Sequence, residues 1–269
     1  MKKKLIISSL VTGVLALGLI GCGSKSVDDK NIKIGVSPVP HKEIVENIVP
    51  QLEKEGYKVE LVEFTDYILP NEALASGEID ANYFQHISFL NTTNESKKLD
   101  LDYTAVIHLE PIALYSKNMK NVKDLQDGAT IAIPNDPSNE ARALRLLEKE
   151  GLIKLKAGEL VTPLDITENT KNFKFKEVAA EQLPSILSEV DAGVINGNYA
   201  IEAGLNPNTE SLAIEDKDAK AAEIYRNILA VKKENKDFKK IQALTKALTS
   251  AETKKFIEEK YNGAVIPTF

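Results

Sequence analysis

The chain has 269 residues, with 34 lysines and arginines against 40 aspartates and glutamates, for a net charge of −6. That acidic balance argues against nucleic acid as a partner, because phosphate backbones are held by basic surfaces. Its one cysteine, Cys22, excludes an intramolecular disulfide framework.

Lys2, Lys3 and Lys4 precede the apolar run LIISSLVTGVLALGLIG, which stops at Cys22. A basic head before an apolar stretch is the pattern of a secretory signal, here residues 1–21. The run has no Ala-x-Ala cleavage site. It closes on Leu19-Ile20-Gly21-Cys22, which resembles a bacterial lipoprotein box, where the cysteine is lipidated and becomes the new first residue. An uncleaved anchor helix is the alternative, since the run is nearly long enough to span a bilayer. On either reading the protein is exported and held at a membrane. Residues 22–30 then form the lipidated cysteine and a polar tether without periodicity. Without the three signal lysines the balance is 31 basic against 40 acidic side chains, about −9. Roughly 240 residues remain to fold, enough for one large or two medium domains.

Ile32 to Val36 reads as a strand and Ser37 to His41 as a loop. Ile44, Val45, Ile48, Val49 and Leu52 recur at helical spacing up to Gly56, and Tyr57, Val59 and Leu61 alternate as a second strand. Strand, helix, strand predicts a right-handed parallel crossover. A short helix from Asn71 leads through a turn at Gly77 to a buried element, with Tyr83, Phe84, His86 and Phe89 crowded behind it. Val106 to Tyr115 reads as a long strand broken by Pro111.

The stretch IAIPNDPSNEARALRLL, Ile131 to Leu147, predicts a strand, a tight turn and a helix. Asp136, Ser138 and Asn139 supply turn and cap, Ala141, Leu144 and Leu147 the buried stripe, and Gly151 the end. Outward N–H groups at such a helix start suit an anion, and Arg142 one turn in adds a forked, permanently charged donor for a carboxylate. The alternative places Arg142 in solvent, where most arginines sit. A strand at 173–178, a helix at 181–189 and the run VDAGVINGNYAIEAG follow. That run echoes the first half, Glu189 to Gly193 with Asn198-Tyr199 matching Gly77 to Tyr83. Two α/β lobes of similar plan imply a cleft between them, where ligands collect beyond the carboxyl ends of the strands. Ile228 to Lys232 is a further strand, and the chain ends in a helix with Phe238, Ile241, Leu244 and Leu248 on one face. The tail is expected to return to the first lobe, so that the chain crosses between lobes near 111–115 and near 226–231.

No Gly-x-Ser-x-Gly elbow, His-Glu-x-x-His pair, phosphate loop or spare cysteine is present, so the pattern argues against an enzyme, and no cofactor is expected. His41, His86 and His108 each fall at or just after a first-lobe strand. They could hold zinc, serve as structural side chains, or line a ligand pocket with Tyr67, Tyr83 and Phe84.

The blocks Pro40-His41, FTDYILPNEAL, GEIDANYFQH, IHLEPIALYS, IAIPNDPSNEARAL, ITEN, VDAGVINGNYA and the closing GAVIP resemble, in order from 31 to 269, the methionine-binding lipoproteins of bacterial ABC importers, the MetQ/NlpA type. The resemblance implies an α/β, two-lobed periplasmic-binding-protein type II fold with a hinge and an interlobe ligand cleft. Its lobes would be 31–112 with 230–269, and 113–229. It implies L- or D-methionine as ligand, an ABC permease and its ATPase as partners, attachment to the membrane through Cys22, and a monomer. Carried over by position, Arg142 matches the arginine for the ligand carboxylate, Asn196 or Asn198 and Asn227 the asparagines, and Tyr67, Tyr83, Phe84, His86 and His108 the pocket around the thioether, with His41 a further candidate. The one departure from the family pattern is the long charged stretch between Asn206 and Tyr225. Alternatives are another amino acid or a methionine-containing dipeptide as ligand, a metal, or an adhesin-type surface lipoprotein.

Overall fold

The computed structural model describes residues 30–218 and 220–269. The signal, the Cys22 lipobox and the tether up to residue 29 lie outside the described residues, among which no helix is long and apolar enough to cross a membrane. Strand β1 (Asn31–Val36) pairs in parallel with β2 (Lys58–Glu63), and helix α1 (Glu43–Lys54) joins them, so the expected crossover is present. Ile44, Val45, Ile48 and Leu52 form the buried stripe of α1. Gly56 follows it at φ +84°, a backbone state that favours a residue without Cβ. Helix α2 (Leu69–Ser76), strand β3 (Ala81–Tyr83) parallel to β1, helix α3 (Ile87–Lys97) and strand β4 (Leu101–Leu109) complete the first pass through this lobe.

The single long strand expected from Val106 to Tyr115 is two strands in different sheets. β4 ends at Leu109, Glu110 to Ile112 cross over, and β5 (Ala113–Tyr115) belongs to the second lobe. Pro111 has no N–H with which to continue a ladder, so the break falls where the sequence places it. The second lobe continues with β6 (Thr130–Pro134), α4 (Pro137–Lys149), the small hairpin β7 (Lys154–Leu155) and β8 (Ile166–Glu168), and β9 (Lys174–Val178). The helix expected over 181–189 is shorter. A 3-10 turn at Ala180–Gln182 runs into α5 (Leu183–Ile186), because Leu187 and Val190 leave the helix to join the buried cluster of Ala132 and Ile195. β10 (Ala192–Ile195), α6 (Gly197–Glu202) and β11 (Ala213–Ile214) close this lobe.

The chain returns through β12 (Arg226–Lys232), antiparallel to β4 over its whole length, so the boundary expected at 229–230 falls inside a first-lobe strand. Helices α7 (Lys239–Leu248) and α8 (Ala251–Tyr261) and the short β13 (Ile266–Pro267) follow; Ser250 caps α8, making two helices where one was expected. Ile241, Leu244, Leu248, Ile257 and Tyr261 share a core with Ile32, Ile34 and Val45, and the tail therefore packs back on the first lobe. The first sheet runs β13-β4-β12-β3-β1-β2 and the second β11-β5-β10-β6-β9. Each carries apolar clusters on both faces, as a sheet covered by helices on both sides requires.

Candidate functional site

Three strand-to-helix turns meet between the sheets. His86 follows β3 and caps α3, Asp136 follows β6 and caps α4, and Asn196 follows β10 and precedes α6. The sequence echo holds for the strand starts, Ala81 opening β3 and Ala192 opening β10, but not for the Asn-Tyr pairs, since Tyr83 ends β3 while Asn198-Tyr199 lie in α6; His86 and Asn196 share the cap position. Asn139, in the first turn of α4, ties the three together. Its Nδ2 donates to both carboxylate oxygens of Asp136 at 3.0 and 2.9 Å, and its Oδ1 accepts from Asn196 Nδ2 at 2.7 Å and faces His86 Nε2 at 3.1 Å. His86 Nδ1 accepts from Phe89 N at 3.1 Å, so the ring is neutral with its proton on Nε2.

The anion expected at the start of α4 is already supplied by the chain. Asp136 accepts from Asn139 N at 3.0 Å, and a ligand carboxylate there would meet a like charge and an N–H already engaged. Arg142 remains the cationic group, and it is buried rather than solvated, at 4% exposure. Its Nε and Nη2 form a fork with Glu215 at 2.9 and 2.5 Å, Nη2 also donates to Glu110 O at 2.8 Å, and its guanidinium carbon lies 4.4 Å from the Tyr225 ring centroid. Burial works against its charge, but Glu215 beside it raises the pKa above the ordinary arginine value. Nη1 is the arm of the fork left unengaged among the described residues.

About 330 Å³ of non-atom space, part of it open to solvent, lies among these groups. Tyr67, Phe84, His86, Arg142, Asn196, Asn198 and Asn227 line it, together with Gln85, Phe89, Glu110, Asn139 and Gly197, none of which the sequence named as a ligand residue, although Phe89 and Asn139 were placed in the fold. Tyr67, Phe84 and Phe89 form a triangle of rings with centroids 5.6 to 5.9 Å apart. Asn196 Oδ1 and Asn198 Nδ2 are buried with no hydrogen-bond partner among the described residues. Across the cleft, Tyr67 OH donates to Asn198 Oδ1 at 2.5 Å and Tyr199 OH to Thr65 O at 3.0 Å, so the lobes are closed over the cavity.

Tyr83 and His108, expected in the pocket wall, stand behind it. Successive residues of a strand face opposite ways, so Tyr83 enters the first-lobe core while Phe84 faces the cavity. The Tyr83 hydroxyl bonds His108 Nδ1, and His108 Nε2 lies 2.7 Å from Glu110 Oε1. His41, also behind the wall, places Nε2 3.0 Å from Asn227 Oδ1 and 3.3 Å from Glu110 Oε1. Burial lowers the pKa of His41 to about 4 and of His86 and His108 to about 3. For Glu110 burial raises the pKa, opposed by His41, Arg142 and the Asn198 N–H. The three histidines do not converge as a zinc triad: His41 and His108 meet over Glu110, while His86 is held by Asn139. Glu215, the partner of Arg142, comes from the charged stretch between Asn206 and Tyr225 and carries no local signal.

The NlpA lipoprotein family matches residues 32–269. A methionine-binding lipoprotein of Bacillus subtilis is 41% identical over 277 residues, covering 98% of both chains. The structure of a nutrient-binding protein from Burkholderia cenocepacia bound to methionine is 42% identical, with a TM-score of 0.83 over 88% of this chain and 100% of that one. A periplasmic substrate-binding protein of an ABC transporter from Coxiella burnetii is 37% identical, with a TM-score of 0.83 over 88% of this chain and 100% of that one.

Proposed function

The chain belongs to the NlpA lipoprotein family, and on that premise we propose that it captures methionine outside the cell and delivers it to an ABC permease and its ATPase. The observation that carries this reading is the pair of unpartnered buried atoms, Asn196 Oδ1 and Asn198 Nδ2, in a cavity that also presents Arg142. An acceptor, a neutral donor and a cation together suit the ammonium and carboxylate of one free amino acid. In this reading Nη1 of Arg142 takes the carboxylate, and Asn196, Asn198 and Asn227 complete the polar end. Tyr67, Phe84, Phe89 and His86 surround the thioether, where sulfur against a ring edge contributes about 0.3 to 1.5 kcal/mol.

The work of such a protein is closure around its ligand; catalysis has no part in it. The lobes we assign, 31–112 with 230–269 and 113–229, follow the two sheets except that β12 joins the first from Arg226. A monomer is held at the outer face of the membrane by lipid on Cys22. Cys22→Ala should therefore leave the membrane fraction or accumulate as precursor while binding methionine as the parent does. A processed, unlipidated variant that stays with membranes would remove the anchor. The ligand is tested by unfolding the protein to strip what co-purified, refolding it, and titrating L-methionine, D-methionine and norleucine in a calorimeter. At least one methionine stereoisomer should bind, and norleucine, of similar length without sulfur, should bind more weakly. Heat from neither stereoisomer would refute the reading.

A further inference from the structure

Glu110 is a buried carboxylate, 4% exposed, that lines the cavity from the segment crossing between the lobes. Its surroundings fix how it is solvated. The Tyr83 phenol keeps its proton, because burial raises its pKa well above the ordinary value, and its only hydrogen-bond partner among the described residues is His108 Nδ1. The hydroxyl donates there, so the proton of neutral His108 sits on Nε2 and points at Glu110 Oε1 from 2.7 Å. His41 Nδ1 has no partner among the described residues, while its Nε2 faces two acceptors, Asn227 Oδ1 and Glu110 Oε1, which places that proton on Nε2 as well. Two imidazole N–H groups from two elements thus converge on Oε1, His108 from 2.7 Å and His41 from 3.3 Å. That arrangement solvates an anion with neutral donors and supplies no formal positive charge. The nearby cation, Arg142, gives its fork to Glu215 and touches Glu110 only at the main-chain carbonyl.

An anion held this way on a cavity wall lacks a counter-cation, and a free amino acid carries one. Resting on the amino-acid reading above, we propose that Glu110 accepts the ligand's α-ammonium, and that His41 and His108 are positioning residues that fix Oε1 so that the carboxylate is presented to the cavity. Charges then alternate through the site, from Glu215 to Arg142, to the ligand carboxylate, to its ammonium, to Glu110. Gly197 belongs to the same device: a Cβ there would stand 2.6 Å from Glu110 Cβ and 3.0 Å from Oε2, so only glycine lets Glu110 reach this place.

The test compares methionine with 4-(methylthio)butanoate, which keeps the carboxylate and thioether but has no ammonium, by calorimetry on the ligand-free mature protein. Glu110→Gln keeps the shape of the side chain and should weaken methionine roughly thirtyfold or more, while the desamino acid binds as well as to the parent or better. His108→Phe should follow the same pattern to a smaller extent, and His108→Gln, which returns an N–H near the Nε2 position, should recover most of the loss. If Glu110→Gln weakens both ligands by the same factor, or leaves methionine unchanged, the ammonium role is overturned while methionine capture stands. Equal losses of both ligands in His108→Phe overturn the positioning role. Zinc bound by the parent through His41, His108 and Glu110, in competition with methionine, would overturn the inference in favour of a metal. A parent that binds no methionine removes the reading beneath it as well.

Discussion

Arg142→Ala separates the structural share of this arginine from its share in binding. In the folded protein its side chain is 3% exposed and that of Glu215 14%, and the two form a bidentate pair with N···O distances of 2.9 and 2.5 Å. Truncation strands the Glu215 carboxylate, a loss of about 3 to 5 kcal/mol for a fully buried pair. The residual exposure of Glu215 and water entering the vacated space bring the expectation to the lower end, about 3 kcal/mol. The carbonyl of Glu110 loses its donor too, adding about 1 kcal/mol. Urea unfolding should therefore show a destabilisation of about 3 to 4 kcal/mol, a large part of what a domain has. Adding Glu215→Gln removes the stranded charge and should return about 1 to 2 kcal/mol of stability. It should return none of the affinity, because the ligand carboxylate still lacks its cation; calorimetry should find methionine weakened roughly thirtyfold or more in both variants. Arg142→Lys should recover part of each, since an ammonium cannot reproduce the fork. Two results would refute this account: Arg142→Ala as stable as the parent, or Glu215→Gln restoring binding to it.

Tyr67→Phe removes the hydroxyl that bonds Asn198 across the cleft. It should lower methionine affinity about threefold to tenfold through faster release, and unchanged release in stopped-flow would show that the contact does not hold the lobes. Gly197→Ala forces its Cβ against Glu110. A loss of about 1 to 3 kcal/mol is expected, visible as a lower melting temperature with weakened binding, and a variant matching the parent in both would contradict the close approach. The histidines predict acid sensitivity. The unfolded chain protonates each near pH 6.5, while the folded chain resists until about 4 at His41 and about 3 at His86 and His108. Stability is then lost as pH falls below 6.5, at about 1.4 kcal/mol per pH unit for each histidine. Glu110, with its pKa raised, works the other way at carboxylate pH. Urea midpoints at pH 7, 6 and 5 should fall steadily, less so in His86→Gln, and a flat series would show that these rings are not held neutral.

What the sequence conveyed was local. The crossover of β1, α1 and β2 follows from spacing that only a helix between two strands satisfies, and Asp136 to Asn139 capping α4 is chemistry within four residues. The blocks quoted for the family resemblance span most of the cavity wall, so seven of the nine ligand residues named from them line it. Tyr83 was misplaced by one strand face, because a short aromatic-rich run does not disclose which of two neighbours looks outward, and His108 stands behind the wall with it, between Tyr83 and Glu110. Glu215 was invisible. Its pairing with Arg142 spans 73 positions, and no periodicity marks a carboxylate just after a two-residue strand as the partner of a helix so far back along the chain. Glu110 was overlooked for a related reason: beside Pro111 it reads as part of a strand break, and its surroundings arise only where the crossing segment meets two histidines from distant parts of the chain.

The crossing at Glu110 to Ile112 has a consequence for the order in which a ligand is gripped. A point on a rotating body travels in proportion to its distance from the axis. In the closure proposed above, Glu110 and the carbonyl that receives Arg142 lie on the crossing segment and travel least, whereas the Tyr67–Asn198 bond joins opposite lobes and forms on closure. Glu110 is therefore in place while the door is still open, and an arriving molecule is sampled there first. Its rate of arrival is governed by that carboxylate and its residence time by the far wall, so Tyr67→Phe should leave the association rate of methionine as it is and change only how long it stays.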